Sequence, residues 1–587
     1  MHLSKNVLMI QPPFITGVLP SYRLSLMKAI LTKNSIASEI LYANLILKRA
    51  INPELYEKLS LRFNYYKYIE FIFASSAFPN EVEKNNYYEK YLKSLNKDKV
   101  NHVLSVKSKV NAYLNTLSDI IEKKNPKITW INLDLDQLTA SLSIAKIIKK
   151  AHPASIVVLG GERCAYFANE VFLKNLPYID YIFIGEAEKN FLEFSKTILK
   201  NKTLNKKIID CAPINNLNKF PFPDYSDFII QMEKLWFSKD RYNITIEASR
   251  GCWSGSKNQC SFCFYNNKEI QYRQKSPSRI KKEIKYIVNR YKPKRIYFVD
   301  RIMPEEYPVK VFKNNKYFKE VNYIFYELKP SIKYEDLRLL KENGLKFIQS
   351  GIETLDDNLL AILNKTTTII DNIRFLRDCK TLGLTPLWNM LINIPCEKKE
   401  DYHEILKIIP SLHHLSPPKE IRPVIIHKNS PFYDFYQKNK IKKLKPIKSY
   451  YSIFPDNLDI DNISFYQEGK YHKVLKNKEI RKTFLKTMTK WRKKWHTIGK
   501  NTPKLDHVIK NDNDHFIIDS RKKNQIKKVH LSLPYYSLLK KLNDPILKVE
   551  LESYIKNNDL DLEFNKLMKL KYIFQNNDKY ISLVCNL

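Results

Sequence analysis

Three of the chain's eight cysteines crowd into one stretch, IEASRGCWSGSKNQCSFCFYN, where Cys252, Cys260 and Cys263 follow a C-x7-C-x2-C spacing. Thiolates this close on one loop suit zinc or an iron–sulfur centre, because both favour soft sulfur ligands. Structural zinc takes four ligands. No further cysteine lies nearby, and the first downstream histidine is His403. Three protein thiolates would leave one iron of a [4Fe–4S] cluster open to chelation by an amino-acid cofactor; zinc stands as the alternative. The other five cysteines are scattered singly (164, 211, 379, 396, 585) and read as small buried residues, not as a disulfide framework.

The cysteine loop follows NITIEAS (243–249), the first of six strand-like segments. The others are RIYFVD (295–300), NYIFYELK (322–329), KFIQSGIE (346–353), PLWNMLINIP (386–395) and IRPVIIH (421–427), with helical stretches such as SPSRIKKEIKYIVNRY between them. This alternation predicts an incomplete (β/α)6 barrel over 241–440, with the loop at its C-terminal mouth. Upstream, NVLMI (6–10), ITWINLD (128–134), SIVVLGG and DYIFIGEAE (180–188) alternate with helical segments, LTASLSIAKIIKK among them. An α/β, Rossmann-like domain over 1–205 is expected, and Gly160, Gly161 and Gly185 at strand ends mark its ligand-binding edge. Residues 206–240, with PFPDYSDF (221–228), read as a linker, and 441–530 as a basic, aromatic accessory region. Three short helical segments and the hairpin KYIF/KYISLV read as a winged-helix-like module over 531–587.

A hydrophobic fraction of 44% and 12% aromatics suffice for several packed cores, so the chain is not a disordered protein. Its start carries only a four-residue apolar run, too short for a signal peptide, and no apolar stretch reaches the ~18 residues of a membrane span. A soluble, cytoplasmic protein is expected. The net charge of +39 goes with abundant Lys, Asn, Ile and Tyr throughout, so it reads as compositional bias on solvated faces, compatible with an acidic peptide partner. No Ser–His–Asp triad, HExxH or paired-carboxylate motif occurs, which suits chemistry carried by cofactors.

The loop resembles the radical S-adenosylmethionine superfamily, departing from its usual C-x3-C-x2-C spacing. It is more similar to a narrower family, the cobalamin-domain-containing radical C-methyltransferases that mature ribosomally made peptides. The resemblance continues in order through YIEFIFASSAFP (68–79), GGERC, IGEAE, FPFPDYSDF, YRQKSPSRI, FYELKPSI, QSGIETLDDNLL, LWNMLINIPCE, KNSPF and FIIDSR. It implies a [4Fe–4S] cluster on Cys252, Cys260 and Cys263, S-adenosylmethionine on its open iron, and cobalamin on the N-terminal domain. Phe262 would then pack beside the adenine. Glu327 and Lys329, on one face of a strand, would bind the cofactor's polar end, Lys329 standing where broader relatives use Arg. Lys275, Ser276, Gly351, Glu353, Asn389 and Pro395 fall at the family's cofactor-binding positions. Like the family, the chain lacks the D-x-H-x-x-G motif that supplies a histidine to cobalt, and Gln137, Thr139, Ser141 and the three glycines are the expected corrinoid contacts. The implied activity is methylation of an unactivated carbon of a precursor peptide, with one S-adenosylmethionine methylating the corrinoid and a second generating the substrate radical. An external electron donor is then a further partner. Radical rearrangement or ring formation on a peptide is the alternative. A basic winged-helix nucleic-acid-binding metalloprotein ranks below both, since the last helical segment carries only Lys566 and Lys569 against Glu563.

Overall fold

The computed structural model describes residues 6–587 except 62–64, 96, 236, 238–241, 267, 436–439, 496–501, 512–513 and 523–525. Its N-terminal sheet has six parallel strands: β1 (Val7–Ile10), β2 (Ser38–Leu41), β3 (Ile128–Asn132), β4 (Ile156–Gly160), β5 (Tyr181–Gly185) and β6 (Ile208–Cys211). They lie in the order β2-β1-β3-β4-β5-β6. The chain leaves β1 to one side and returns as β3 on the other, so a crevice opens between the carboxyl ends of these two strands. Strands β2 and β6 were not legible in the sequence; both are four-residue strands at the sheet edges, too short to show a periodicity. Strand β6 and the helix Ser226–Lys234 also correct the reading of 206–240 as an irregular linker, whose positions 236 and 238–240 lie outside the described residues. Helices between Ala43 and Glu122 cover one side of the sheet. One of them, Ile69–Ala77, presents Glu70, whose carboxylate accepts hydrogen bonds from Leu138 N (3.1 Å) and Thr139 N (2.8 Å) and so caps the helix Leu138–Ala151.

The second sheet runs in chain order through β7 (Asn243–Ile246), β8 (Arg295–Phe298), β9 (Tyr323–Leu328), β10 (Leu345–Ser350) and β11 (Thr385–Leu387), all parallel. The expected strand 386–395 breaks at Trp388, whose buried indole donates to Ser416 O (3.0 Å). Its second half, β12 (Asn389–Ile392), pairs with β13 (Glu420–Pro423) and rejoins the sheet through a bridge between Glu353 and Met390. The end of the segment 421–427, Ile426–His427, turns away into an antiparallel sheet with Lys442–Pro446 and Tyr466–Lys470.

The region 441–530 is not one unit. Ile447, Tyr450, Phe454 and Phe465 bury into the core of the N-terminal domain. Phe484 and Trp491 of the helix Lys478–Trp495 join the core of the second sheet instead. A three-stranded antiparallel sheet (505–531) follows, then three helices, Leu533–Lys541, Lys548–Asn557 and Asp561–Lys569. In the closing hairpin, Lys579–Ser582 pairs with both Ile573–Asn576 and Ile546–Leu547. Arg377 of the second domain donates to Ser582 O (2.8 Å), fastening this module down. Among the described residues, no helix is long and apolar enough to cross a membrane.

Trp130 is fully buried in β3, with Phe191 and Phe183 centred 4.6 and 5.5 Å from it. A Cβ on Gly160 would lie 2.0 Å from its ring, so this glycine is present to admit the indole. Gly160→Ala is expected to lower stability by about 1–3 kcal/mol through overpacking, read from urea unfolding. Adding Trp130→Phe should recover part of that loss; strictly additive losses would contradict the contact.

Candidate active site

The carboxyl ends of the two sheets face one cavity of about 720 Å3. The N-terminal sheet contributes Gln11, Asn132, Gly161 and Gly185 to its wall; the second sheet contributes the three cysteines, Phe262, Asp300, Glu327, Lys329, Gly351, Glu353 and Asn389.

The cysteine loop is held to its surroundings at both ends. Cys252 N donates to Ile270 O (3.1 Å), and Cys252 Sγ accepts from Gly255 N (3.2 Å). Gly251 adopts φ +73°, and a Cβ there would meet Gln271 O at 2.1 Å, so no larger residue is accommodated. At the far end Asn364 donates to Asn258 Oδ1 and Gln259 O (both 2.7 Å), and Ser261 Oγ donates to Ile362 O (2.7 Å). The three cysteines are half-buried free thiols. Burial pushes Cys263 up to about 12 and raises Cys260, against the opposing pull of Lys365. Among the described residues, no three His, Cys, Asp or Glu side chains converge on a point that would hold a single ion. A [4Fe–4S] cluster asks for something else, one thiolate to each of three irons. Three thiols on a buttressed loop at a cavity wall meet that demand.

Beside the cysteines stand paired charges. Lys365 Nζ lies 3.6 Å from Glu353 Oε1 and 5.9 Å from the centre of the Phe262 ring. Burial alone would depress Lys365, but Glu353, Cys260 and Cys252 outweigh it and hold the ammonium above its ordinary value. A Cβ on Gly351 would lie 2.7 Å from this Nζ, so Gly351 makes room for it. Glu353 itself sits at φ +61°, a left-handed conformation uncommon for a glutamate. Burial raises Glu327 to about 8, with Arg301 opposing and Glu353 and Asp300 adding to the rise. Lys329 donates to Ser254 Oγ (3.1 Å) beside the Trp253 ring. Asp300, raised to about 7 by burial, accepts from Ala248 N (2.6 Å), Ser249 N (2.8 Å) and the Tyr326 hydroxyl. It thereby fixes the strand end that enters the cysteine loop.

Several expected contacts lie elsewhere. Lys275 is fully buried, paired with Glu283 (2.8 Å) and donating to Tyr22 Oη (2.7 Å), so its charge is already spent between the two domains. Ser276 caps the helix Pro277–Tyr291, accepting from Arg279 N (3.3 Å). Pro395 is buried beyond β12 and away from the cavity wall. Gln137 braces two loops, donating to Pro12 O (2.8 Å) and accepting from Asp134 N (3.0 Å). Thr139 is engaged by Glu70, and Ser141 is buried in the same helix. These three helix residues and Gly160 fall outside the cavity wall; of the expected N-terminal contacts, Gly161 and Gly185 line it.

The sequence reading missed Gln11, Asn132, Arg23 and Lys365. Asn132 donates to Gln11 Oε1 (3.3 Å) and accepts from Arg23 (3.4 Å) beside the crevice between β1 and β3. Gln11 Nε2 and Trp130 Nε1 are buried at this wall without a partner. Gly161 and Gly185 adopt φ +145° and +85°, and a Cβ on either would strike a backbone oxygen, of Leu133 at 2.1 Å or Cys211 at 2.5 Å. Unused donors beside turns with bare backbone fit an amide-fringed corrinoid. The available signal was position, since polar residues immediately after a strand at a reversal point are ligand candidates.

The profile of the Radical SAM superfamily matches residues 246–409. An uncharacterised methyltransferase of Pyrococcus horikoshii is 23% identical over 316 residues, covering 50% of this chain and 66% of that protein. The anaerobic magnesium-protoporphyrin IX monomethyl ester cyclase of Rubrivivax gelatinosus is 24% identical over 339 residues, 51% of this chain and 58% of the cyclase. The chain therefore spans less than two thirds of the length of either. Among solved structures, the cobalamin-dependent S-adenosylmethionine radical enzyme OxsB, with aqua-cobalamin and S-adenosylmethionine bound, aligns over 97% of this chain and 73% of its own. Its TM-score is 0.55 at 13% identity. The radical S-adenosylmethionine methyltransferase TsrM of Kitasatospora setae, with cobalamin and a [4Fe–4S] cluster, aligns over 83% and 91%, with TM-score 0.53 at 12% identity. Residues 246–409 thus form a radical SAM domain, which implies a [4Fe–4S] cluster and S-adenosylmethionine, within a chain that shares the fold of cobalamin-dependent radical SAM enzymes.

Proposed function

We propose that this protein is a cobalamin-dependent radical SAM enzyme that methylates an unactivated carbon of a ribosomally made peptide. The observation that carries the proposal is the single cavity bounded by the cysteine loop on one side and by Gly161 and Gly185 on the other. The peptide substrate rests on the ordered segments that resemble the peptide-maturing family. When bound, the cluster and S-adenosylmethionine supply a 5′-deoxyadenosyl radical, and the corrinoid supplies the methyl group. The chain's own part is to hold and shield. Cys252, Cys260 and Cys263 hold three irons, while Lys365 and Lys329 offer cations to a carboxylate and Glu327, once deprotonated, an anion to a sulfonium or ammonium. The buried walls keep water from the radical. Hydrogen abstraction requires no general base, consistent with Asp300 being committed to structural hydrogen bonds. An external reductant delivers the electron. The C-terminal helices and hairpin, read as a winged-helix-like module, would serve as a packing or docking unit.

Reduced protein loaded with iron and cobalamin, given its precursor peptide, should release both S-adenosylhomocysteine and 5′-deoxyadenosine as the peptide gains methyl mass. Cys263→Ala should abolish 5′-deoxyadenosine. Modified peptide with 5′-deoxyadenosine but no S-adenosylhomocysteine would favour rearrangement or ring formation, and neither coproduct would sink the enzyme assignment.

Glu327 generates a pH signature. Because burial raises its carboxyl to about 8, it carries a proton at neutral pH and becomes anionic only as pH rises through that value. Binding of the sulfonium cofactor to iron-loaded protein should therefore tighten across this window, by at most about tenfold per pH unit. Glu327→Gln should flatten the profile. Calorimetric titrations showing affinity flat or falling in the unmutated protein would contradict the assignment.

A further inference from the structure

Arg250 lies two residues before Cys252, in a short antiparallel pair in which Ser249–Arg250 faces Arg273–Gln274. Its guanidinium reaches three carboxylates: Glu247 through Nε (2.8 Å), Glu186 through Nη1 (3.0 Å) and Glu188 through Nη2 (2.6 Å). Glu247 belongs to its own domain. Glu186 and Glu188 belong to the other, Glu186 in the turn directly after Gly185 and Glu188 at the start of the helix that follows. Glu186 is held in turn by Arg273 (2.7 Å) and by Ile214 N (2.8 Å). Side-chain exposure in this group is 5–19%, so the cluster is screened from solvent. Arg250 connects to the cysteines through Gly251, which sits at φ +73° where a Cβ would strike Gln271 O, and Cys252 N is bonded to Ile270 O. These links join the guanidinium to the first cysteine, and Glu186 and Glu188 to the glycine turn. Other contacts hold the domains together without it. Tyr22 bridges to Lys275 and Glu283, and Thr245 Oγ1 donates to Pro20 O (3.2 Å).

We propose that Arg250 is a positioning residue that sets the cysteine loop against the glycine turn of the N-terminal domain, and so fixes where the radical forms relative to the methyl donor. The coupling part rests on the function proposed above; the clamp itself does not. Only a planar fork can engage three carboxylates in fixed directions. A lysine restores the charge but not the directions. This separates positioning from simple charge compensation, which Lys would satisfy as well as Arg.

The experiment compares full-length unmutated protein with Arg250→Gln, Arg250→Lys and Glu188→Gln, each loaded with iron and cobalamin and with the content of both measured. Hydrogen–deuterium exchange over residues 181–190 and 247–255 reads the clamp without turnover. The number of 5′-deoxyadenosine molecules released per methyl group transferred to peptide reads the coupling. Both segments should exchange faster in all three variants. In Arg250→Gln and Arg250→Lys, 5′-deoxyadenosine should continue while methyl transfer falls by up to about a hundredfold, the scale of a displacement near 1 Å. Full recovery in Arg250→Lys, unchanged exchange, or proportional loss of both products would overturn the proposal. If the unmutated protein transfers no methyl group, the proposed function fails and exchange alone decides the clamp: faster in both segments supports it, unchanged refutes it.

Discussion

Two parallel sheets point their carboxyl ends at each other across one cavity, and ionic groups are buried along the seam between them. Arg250 and Arg273 lie among Glu186, Glu188 and Glu247, and Lys275 lies against Glu283. Buried charges of this kind are weak sources of stability, because desolvation offsets most of the attraction. Removing one partner is costly, since it strands the others. Such a seam is therefore better at specifying one arrangement than at strengthening it. The arrangement it specifies brings the cysteine loop and the glycine turns to a common space.

Within that space the electrostatics are divided. Near the cysteines, Lys365 is held charged by Glu353 and by the thiols, and Gly351 is the residue that admits it. A wall that offers cations beside prospective thiolates and carboxyls of raised affinity for protons suits a ligand carrying both a carboxylate and a positive centre. The N-terminal wall combines bare backbone at Gly161 and Gly185 and the amides of Gln11 and Asn132 with the charged side chains of Arg23, Asp134, Glu186 and Glu188. Both walls are built from residues at strand ends rather than from any single motif.

How much of this was legible depended on the kind of signal. The cysteine loop and the strand-to-glycine turns could be read because their residue types are scarce and their positions follow from alternating elements. Glu327 and Lys329 came from the family resemblance, with the two-residue period of a strand setting them on one face, and both reach the cavity. Gln137, Thr139 and Ser141 misled because polar residues at a helix start serve equally well as braces and caps. In the fold, Gln137 bonds to Pro12 and Thr139 to Glu70. Lys275 misled for a similar reason: its partner Glu283 lies eight residues on in the following helix and Tyr22 comes from another domain, a meeting no local pattern encodes. Strands β2 and β6 were invisible because four residues at a sheet edge carry too little periodicity.

The account depends most on the cysteine loop and the glycine turns sharing one cavity, and magnetic interaction between their ligands tests this directly. Protein loaded with both cofactors can be reduced to hold a paramagnetic cluster together with cob(II)alamin and examined by electron paramagnetic resonance. The account predicts that the two signals broaden or split each other, relative to protein carrying either cofactor alone. Spectra that equal the plain sum of the two separate signals, at full occupancy of both, would contradict it.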